Sequence, residues 1–330
     1  MPNQLKARII GMGSFLPEQI LTNKDLEKMV ETSDEWIVSR TGMKERRIAG
    51  PAESPSHMGI EAAKKAMAES KVSAKDIDMI LVATMTPDYI TPSTAALIQA
   101  KLGASHAAAL DIQAACTGFI YGLSMAKAYI EAKIYRNILV IATEKLSTIV
   151  DYKDRNTCVL FGDGASAALV SDQGTGYSLD SFCLGADGEV ADLLIIPAGG
   201  ARQPSSNESI AQGLHFLRME GKEVFKHAVR RMTAAAKECL SKAGLTEAQI
   251  SWLVPHQANI RIIEAIAKSF NIADEKVYKT LHKYGNTSAS SVAIALEELI
   301  HEEQIHKDER ILLVGFGAGL TWGAAVLTKI

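Results

Sequence analysis

Cys116 stands in Ala114-Ala-Cys-Thr-Gly-Phe, after an apolar run and at the start of a long helical one. The free N–H groups of a helix start, together with the helix dipole, favour a thiolate over a thiol, so this setting suits a nucleophile. Small neighbours (Ala114, Ala115, Gly118) leave room for a substrate to reach the sulfur. From position alone a buried structural cysteine fits as well, since such a residue behaves as a small hydrophobe. His256 follows Ser251–Val254 in Pro255-His-Gln-Ala-Asn-Ile-Arg, at the strand end where α/β sheets build their sites, although a lone histidine is more often structural. Asn286 lies in Lys283-Tyr-Gly-Asn-Thr-Ser-Ala-Ser-Ser, a Gly-containing turn into a helix, where an Asn also serves as a turn or N-cap residue. Gly315-Phe-Gly-Ala-Gly-Leu-Thr-Trp-Gly is a glycine-rich turn between two strands. It can present backbone N–H groups to an oxyanion, and tight strand packing explains it equally. The other cysteines, Cys158, Cys183 and Cys239, have no comparable setting and read as structural.

These residues need elements to hold them. Period-two and buried apolar patterns predict strands at Ala7–Met12, Ile77–Thr84, Ala107–Ile112, Asn137–Thr143 and Ala165–Val170, then at Tyr177–Leu184, Ser251–Val254, Arg310–Val314 and Ala324–Thr328. Helical spacing marks Met58–Ser70, Thr94–Leu102, Phe119–Ala132, Glu220–Ala243, Ile260–Phe270 and Ala289–His301. Strands alternating with helices of this length predict α/β layering around a largely parallel sheet. A repeat lies beneath this order. Ile77-Asp-Met-Ile-Leu-Val faces Ile250-Ser-Trp-Leu-Val and Ile138-Leu-Val-Ile faces Ile311-Leu-Leu-Val, each at an offset of 173 residues. Cys116 and Asn286, both just ahead of a helix, are 170 apart. Three correspondences in one order suggest a duplicated α/β core, whose strand ends would meet near a pseudo-twofold axis.

Composition narrows the classes. Hydrophobic residues make up 47% and charged residues 22%, the balance of a globular chain, and a net charge of −3 argues against nucleic acid as the main partner. The polar start Met1 to Lys6 runs into a strand, so no signal peptide is expected. The most apolar stretch, Ile112 to Ala126, is too short to span a bilayer; a cytoplasmic protein without membrane contact is the expectation. Four cysteines without a CxxC pair support neither a disulfide framework nor a zinc site, so no metal is expected.

Taken together, Ala-Cys-Thr-Gly-Phe, Val-Pro-His-Gln-Ala-Asn, Tyr-Gly-Asn-Thr-Ser-Ala-Ser-Ser and Gly-Phe-Gly-Ala-Gly-Leu-Thr-Trp-Gly occur in this order. With Thr32-Ser-Asp-Glu-Trp-Ile-Val-Ser-Arg-Thr-Gly and Val159-Leu-Phe-Gly-Asp-Gly-Ala, they closely resemble bacterial β-ketoacyl-acyl-carrier-protein synthase III over essentially the whole chain. The resemblance implies an α/β, thiolase-like fold with a duplicated core in α-β-α-β-α layers. An N-terminal half over 1–175 would carry the nucleophilic cysteine, and a C-terminal half over 176–330 the histidine and asparagine.

It further implies condensation of an acyl-CoA primer, acetyl-CoA first, with malonyl-acyl carrier protein and loss of CO2, as the start of fatty-acid synthesis. Cys116 would take the acyl group, while His256 and Asn286 donate hydrogen bonds to the malonyl thioester. The backbone of Cys116 and the Gly317-Ala318-Gly319 turn would form the loading oxyanion hole. The family commonly has three glycines there, so Ala318 is a departure, costly if that residue needs φ > 0. Trp36, Arg40 and Arg155 would hold CoA, with Asn259 along the pantetheine arm. Gln257, Ala258, Asn259, Ile260 and Arg261 match the carrier-protein segment, and Lys222, Lys226 and Arg230 would add a positive stripe. Thr91, smaller than the phenylalanine often found there, would reach a partner subunit's acyl pocket in a homodimer and make it roomier. No cofactor is implied beyond CoA and phosphopantetheine thioesters as substrates. A degradative thiolase would need a second cysteine as base, which the Gly-Ala-Gly turn lacks. A papain-like hydrolase would carry a different cysteine signature. A related synthase with another primer, or a scaffold that only binds acyl carriers, are the remaining readings.

Overall fold

A computed structural model describes residues 6–330. Most of the polar start, residues 1–5, lies outside the described residues. The nine expected strands form as β1 (Arg8–Phe15), β2 (Met79–Ala83), β3 (Ala108–Ile112), β4 (Asn137–Glu144), β5 (Gly164–Ser171), β6 (Tyr177–Ala186), β7 (Trp252–Pro255), β8 (Arg310–Gly317) and β9 (Thr321–Lys329). The helices that matter for the site are α1 (Asp34–Thr41), α2 (Pro55–Ser70), α3 (Thr94–Leu102), α4 (Gly118–Glu131), α5 (Gly221–Ala243), α6 (Ile260–Ser269) and α7 (Ser290–Glu302). Several of the helix starts carry hydroxyl or amide caps. Ser33 accepts from Trp36 N–H, Ser54 from His57 N–H with Pro55 following, and Asn259 from Arg261 N–H.

The strand order is β7-β8-β9-β6-β1-β5-β4-β2-β3. Reading outward from the centre, β6, β9, β8, β7 mirror β1, β5, β4, β2, which is the duplication that the repeated segments predict. Leu253 of β7 pairs in parallel with Val277, a one-residue counterpart of β3 beside β2. The sheet is mixed rather than largely parallel. Only β2–β3, β2–β4 and β7–β8 run parallel, and β4–β5–β1 and β8–β9–β6 are antiparallel. Among the described residues, the halves of the sheet join where Arg8 and Ile9 pair with Ser178 and Tyr177, with Leu179 N–H donating to Ala7 O at 2.9 Å beside them. The sequence pattern could not separate these cases, because a strand buried on both faces is apolar throughout whichever way its neighbours run.

That burial is two-sided, as the alternation of side chains shows. Leu81 and Ala83 of β2 join one core cluster and Ile80 and Val82 another. Leu313 of β8 faces the first, while Leu312 and Val314 face a third. Helices α4 and α7 contact strands of both halves and fill the central layer; α2 and α3 cover the outer face of the first half, and α5 covers that of the second, with α6 packed on α5. The result is the α-β-α-β-α thiolase-like arrangement. Among the described residues, no helix is long and apolar enough to cross a membrane.

Candidate active site

Cys116 sits in a tight turn, Ala115–Thr117, between β3 and α4. Ala115 adopts φ 45, an uncommon conformation for a residue with a side chain. Two hydroxyls clamp the turn: Thr117 donates to Ala114 O at 2.7 Å and Thr321 to the same oxygen at 3.1 Å. Thr321 opens β9, so the Cys116 turn is tied to the glycine-rich turn that precedes β9. Gly118 lets α4 approach the sheet, since a Cβ there would stand 2.7 Å from Ala83 Cβ. Gly317 does the same at Cys116, where an added Cβ would meet Cys116 N at 2.6 Å. Ala318 beside it is outside the left-handed region, so its side chain imposes no backbone strain on the turn.

His256 follows β7 and is buried. Its N–H donates to Val314 O at 2.7 Å, which fixes the backbone against β8. Its Nδ1 lies 2.6 Å from Ser291 Oγ, and that oxygen also accepts Gln257 N–H at 3.4 Å. With Ser291 donating to Nδ1, a neutral imidazole carries hydrogen on Nε2, facing the cavity with a donor. Asn286 is held by backbone on both sides. Its N–H donates to Leu160 O at 2.8 Å and its carbonyl accepts Gly162 N–H at 3.0 Å. This is where Val159-Leu-Phe-Gly-Asp-Gly-Ala acts: a Cβ on Gly162 would be 2.3 Å from Tyr284 O. Asn286 Oδ1 accepts Ser288 N–H at 2.8 Å, which leaves the amide's donor end for the cavity. In that tautomer His256 and Asn286 each offer an N–H to the cavity.

Cys116, His256, Asn286, Ser288, Gly317 and Ala318 line one apolar channel with an internal volume of about 110 Å³. Leu146, Leu160, Phe161, Leu194, Leu217 and Phe316 supply its walls. Burial sets the electrostatics. It pushes the Cys116 thiol up to about 12, opposite to the lowering expected of a helix start. Desolvation also holds His256 down to about 3, so the imidazole is neutral across the physiological range.

Two guanidinium groups stand over the Trp36 ring, Arg40 at 5.0 Å and Arg155 at 4.9 Å from its centroid. Asn259 lines the channel and caps α6, and its side-chain amide donates to Arg40 O at 3.1 Å. Arg261 is exposed and donates to Ser39 O at 3.1 Å. These bonds fasten α1 to the start of α6 at the mouth of the channel. Ala258 lines the channel and Ile260 is half-buried.

One expected residue stands differently. Gln257 is wholly buried, with Nε2 bonded to Pro255 O and Tyr278 O and Oε1 accepting from Thr280 and Leu281 N–H. It braces the loop and has no surface for a carrier protein; its polar side chain alone reads as exposed, and only its four bonding partners show otherwise. Thr91 is exposed beside Tyr89 and Ile90, and it does not line this chain's own channel. Lys222, Lys226 and Arg230 are exposed along α5, with Lys226 paired to Glu223 at 2.7 Å. Sequence reasoning missed Ser288, Ser291 and the buried carboxyl of Glu144, which ends β4. A carboxylate at the C-terminal end of an otherwise apolar strand was the available signal, and the expected strand stopped one residue short of it. Among the described residues no cluster of His, Cys, Asp or Glu could hold a metal ion.

Comparison with known proteins agrees along the whole length. The family described as 3-oxoacyl-[acyl-carrier-protein] synthase III matches residues 110–188, and its C-terminal counterpart matches 240–329. The β-ketoacyl-[acyl-carrier-protein] synthase III of Chlamydia muridarum is 59% identical over 99% of this chain and 100% of its own. That of Caldanaerobacter subterraneus subsp. tengcongensis is 54% identical over 99% of both. The crystal structure of 3-oxoacyl-[acyl-carrier-protein] synthase III from Aquifex aeolicus superposes with a TM-score of 0.90 at 46% identity, covering 98% of this chain and 100% of that one. On end-to-end identity and a shared thiolase fold, this chain belongs to the β-ketoacyl-[acyl-carrier-protein] synthase III family of condensing acyltransferases.

Proposed function

We propose that the chain condenses an acyl-CoA primer, acetyl-CoA first, with malonyl-acyl carrier protein to give 3-ketoacyl-acyl carrier protein, CoA and CO2, the opening step of fatty-acid synthesis. The observation that carries this reading is the single apolar channel lined by Cys116, His256, Asn286 and the Gly317-Ala318 turn. Cys116 Sγ attacks the primer's thioester carbonyl, CoA departs, and the acyl group stays on the sulfur. The backbone N–H groups of Cys116 and Ala318 receive the oxyanion of this step. Malonyl thioester then enters and loses CO2. The charge that decarboxylation leaves on its carbonyl oxygen is met by His256 Nε2–H and Asn286 Nδ2–H, two donors that neither titrate nor reorganise. The resulting carbanion attacks the acyl-Cys116 carbonyl, which releases the sulfur.

In this reading Trp36, Arg40 and Arg155 bind CoA, Asn259 lies along the pantetheine arm, and Ala258, Asn259, Ile260 and Arg261 meet the acidic carrier protein. The basic residues of α5 extend that face. Residues 1–175 and 176–330 act as two halves that contribute nucleophile and donors respectively. Thr91 serves the acyl pocket of a second copy in a cytoplasmic homodimer, and thioesters of CoA and phosphopantetheine serve as substrates with no resident cofactor.

Intact mass after incubation with a panel of acyl-CoAs tests the reading. Wild type should gain one acyl group and Cys116→Ala none. Loading only from acyl carrier protein would make the chain an elongating synthase instead, and no loading at all would leave a scaffold.

A further inference from the structure

Among the described residues, the largest fully buried side chain is that of Arg46, a cation that the mechanism above leaves without a task. It stands in a two-stranded ribbon, Ile20–Thr22 against Glu45–Arg47, with Leu21 opposite Arg46. Its guanidinium group donates to three neutral oxygens. Nη2 reaches Val159 O at 2.7 Å, and Nη1 reaches Asn23 Oδ1 at 2.8 Å and Leu21 O at 3.2 Å. Nε is buried without a hydrogen-bond partner. Burial draws the pKa down to about 10, which still leaves a cation near neutral pH. A buried charge met only by neutral oxygens, with one donor unmet, costs stability rather than adding it. Local rules broken in this way mark places where function is served.

The carbonyl that Nη2 holds opens the segment on which Asn286 stands. Leu160 O accepts Asn286 N–H at 2.8 Å, Gly162 N–H donates to Asn286 O at 3.0 Å, and Phe161 pairs with Asn286 in parallel. The Arg46 stem packs against both sides of this pairing. A Cβ on Gly162 would stand 3.1 Å from Arg46 Cβ, and one on Gly285 would stand 3.3 Å from it. The backbone around Arg46 bonds to the same two segments: Lys44 N–H donates to His282 O at 3.3 Å, and Arg47 O accepts Asp163 N–H at 2.8 Å. Asn23 is oriented in turn, since its Nδ2 donates to Asp34 Oδ1 at 2.8 Å and to Met43 O at 2.9 Å, which leaves Oδ1 for the guanidinium. Cys116 belongs to another seat, the turn clamped by Thr117 and Thr321, and none of the three Arg46 bonds reaches it.

We propose that Arg46 is a positioning residue for Asn286: by holding Val159 O it fixes the segment 159–162 under Asn286, and so it governs the condensation half-reaction without governing loading. A donor to a developing oxyanion works only if it is in place beforehand, and Asn286 takes its place from this backbone. The planar fork of a guanidinium holds Val159 O and Asn23 Oδ1 at once, which the single ammonium of a lysine does not reproduce.

The inference rests on Asn286 serving malonyl decarboxylation, and the experiment separates the two. Full-length enzyme is first loaded with acetyl-CoA, read by intact mass, and then mixed with malonyl-acyl carrier protein while CO2 release is followed. Arg46→Lys keeps the charge and most of the stem and loses the fork. It should load at close to the wild-type rate and release CO2 roughly ten- to a hundredfold more slowly. In the Asn286→Ala background the same substitution should add less than about a twofold loss, because both changes act through one amide. A residue that serves the fold alone would slow both half-reactions alike, or multiply its effect onto that of Asn286→Ala. Either result overturns the proposal, as does wild-type CO2 release by Arg46→Lys. Should Arg46→Lys fail to fold, Arg46→Met, which removes the buried charge, is read in the same way. If Asn286→Ala by itself leaves CO2 release unchanged, the role of Asn286 is refuted and this inference falls with it.

Discussion

Gly317 offers a direct test of how closely the nucleophile's turn and the glycine-rich turn must approach. A methyl group at this position would stand 2.6 Å from Cys116 N and 3.0 Å from Cys116 Cβ, whereas ordinary contact begins at 3.4 Å. Neither side can yield easily. Cys116 lies in a turn clamped by Thr117 and Thr321, and Gly317 is paired with Thr321 in the β8–β9 ladder. Gly317→Ala therefore has to part the two turns by about 0.8 Å, and a displacement of that order at reacting groups costs roughly a hundredfold in rate. The strain itself should cost about 1–3 kcal/mol of stability, as overpacked cores do. Ala318→Gly is the matched control. Ala318 lies outside the left-handed region, so the change adds freedom to the unfolded chain and little else, worth about 0.4–1 kcal/mol. Acetyl-CoA loading measured in a single turnover, with thermal melts of each variant, distinguishes them. Gly317→Ala should lose most of its loading rate and some stability, and Ala318→Gly should load almost as wild type. Wild-type loading by Gly317→Ala would refute the claim that this approach builds the oxyanion site.

Three further outcomes follow from the geometry. In the proposed mechanism Asn286→Ala removes a donor of the second half-reaction; malonyl decarboxylation should fall roughly 10²–10³-fold while loading of Cys116 persists, and an equal fall in both would reassign the residue to the first step. His256, held near 3 in the fold against 6.5 in the open chain, binds a proton more readily when unfolded. It adds nothing above pH 6.5, but stability is lost as pH falls from there towards 3, by up to roughly 5 kcal/mol. His256→Ala should flatten that part of a melting-temperature–pH curve, and an unchanged slope would show that the imidazole is not desolvated. Trp36→Ala leaves Arg40 and Arg155 without their shared ring and should raise KM for acetyl-CoA about tenfold at constant kcat, the worth of one stacked base. A fall in kcat with KM unchanged would place the residue elsewhere.

The strands and long helices were legible because each carries its own period, and buried strands such as Ile138-Leu-Val-Ile need no partner to be recognised. The short helix α1, capped by Ser33, was not among the expected elements. The duplication was legible for the same reason, since it is written twice at one offset. Strand direction was not. An apolar strand with both faces covered is the same string whether its neighbour runs with it or against it, and the mixed sheet had to be seen.

At the site, residue types and order were enough to single out Cys116, His256 and Asn286 and to place the chain in its family. What they do to one another was decided by tertiary structure, because solvation and hydrogen-bond partners are properties of a place. The start of α4 alone would lower a thiol's pKa, yet complete burial pushes Cys116 up to about 12. Gln257, read as surface, is consumed by four bonds from the loops around it. Glu144 at the end of an apolar strand and Ser288 in the Asn286 turn are 144 residues apart in the chain. Only the packing of the two halves brings Ser288 into the channel that Cys116 lines and leaves Glu144 fully buried.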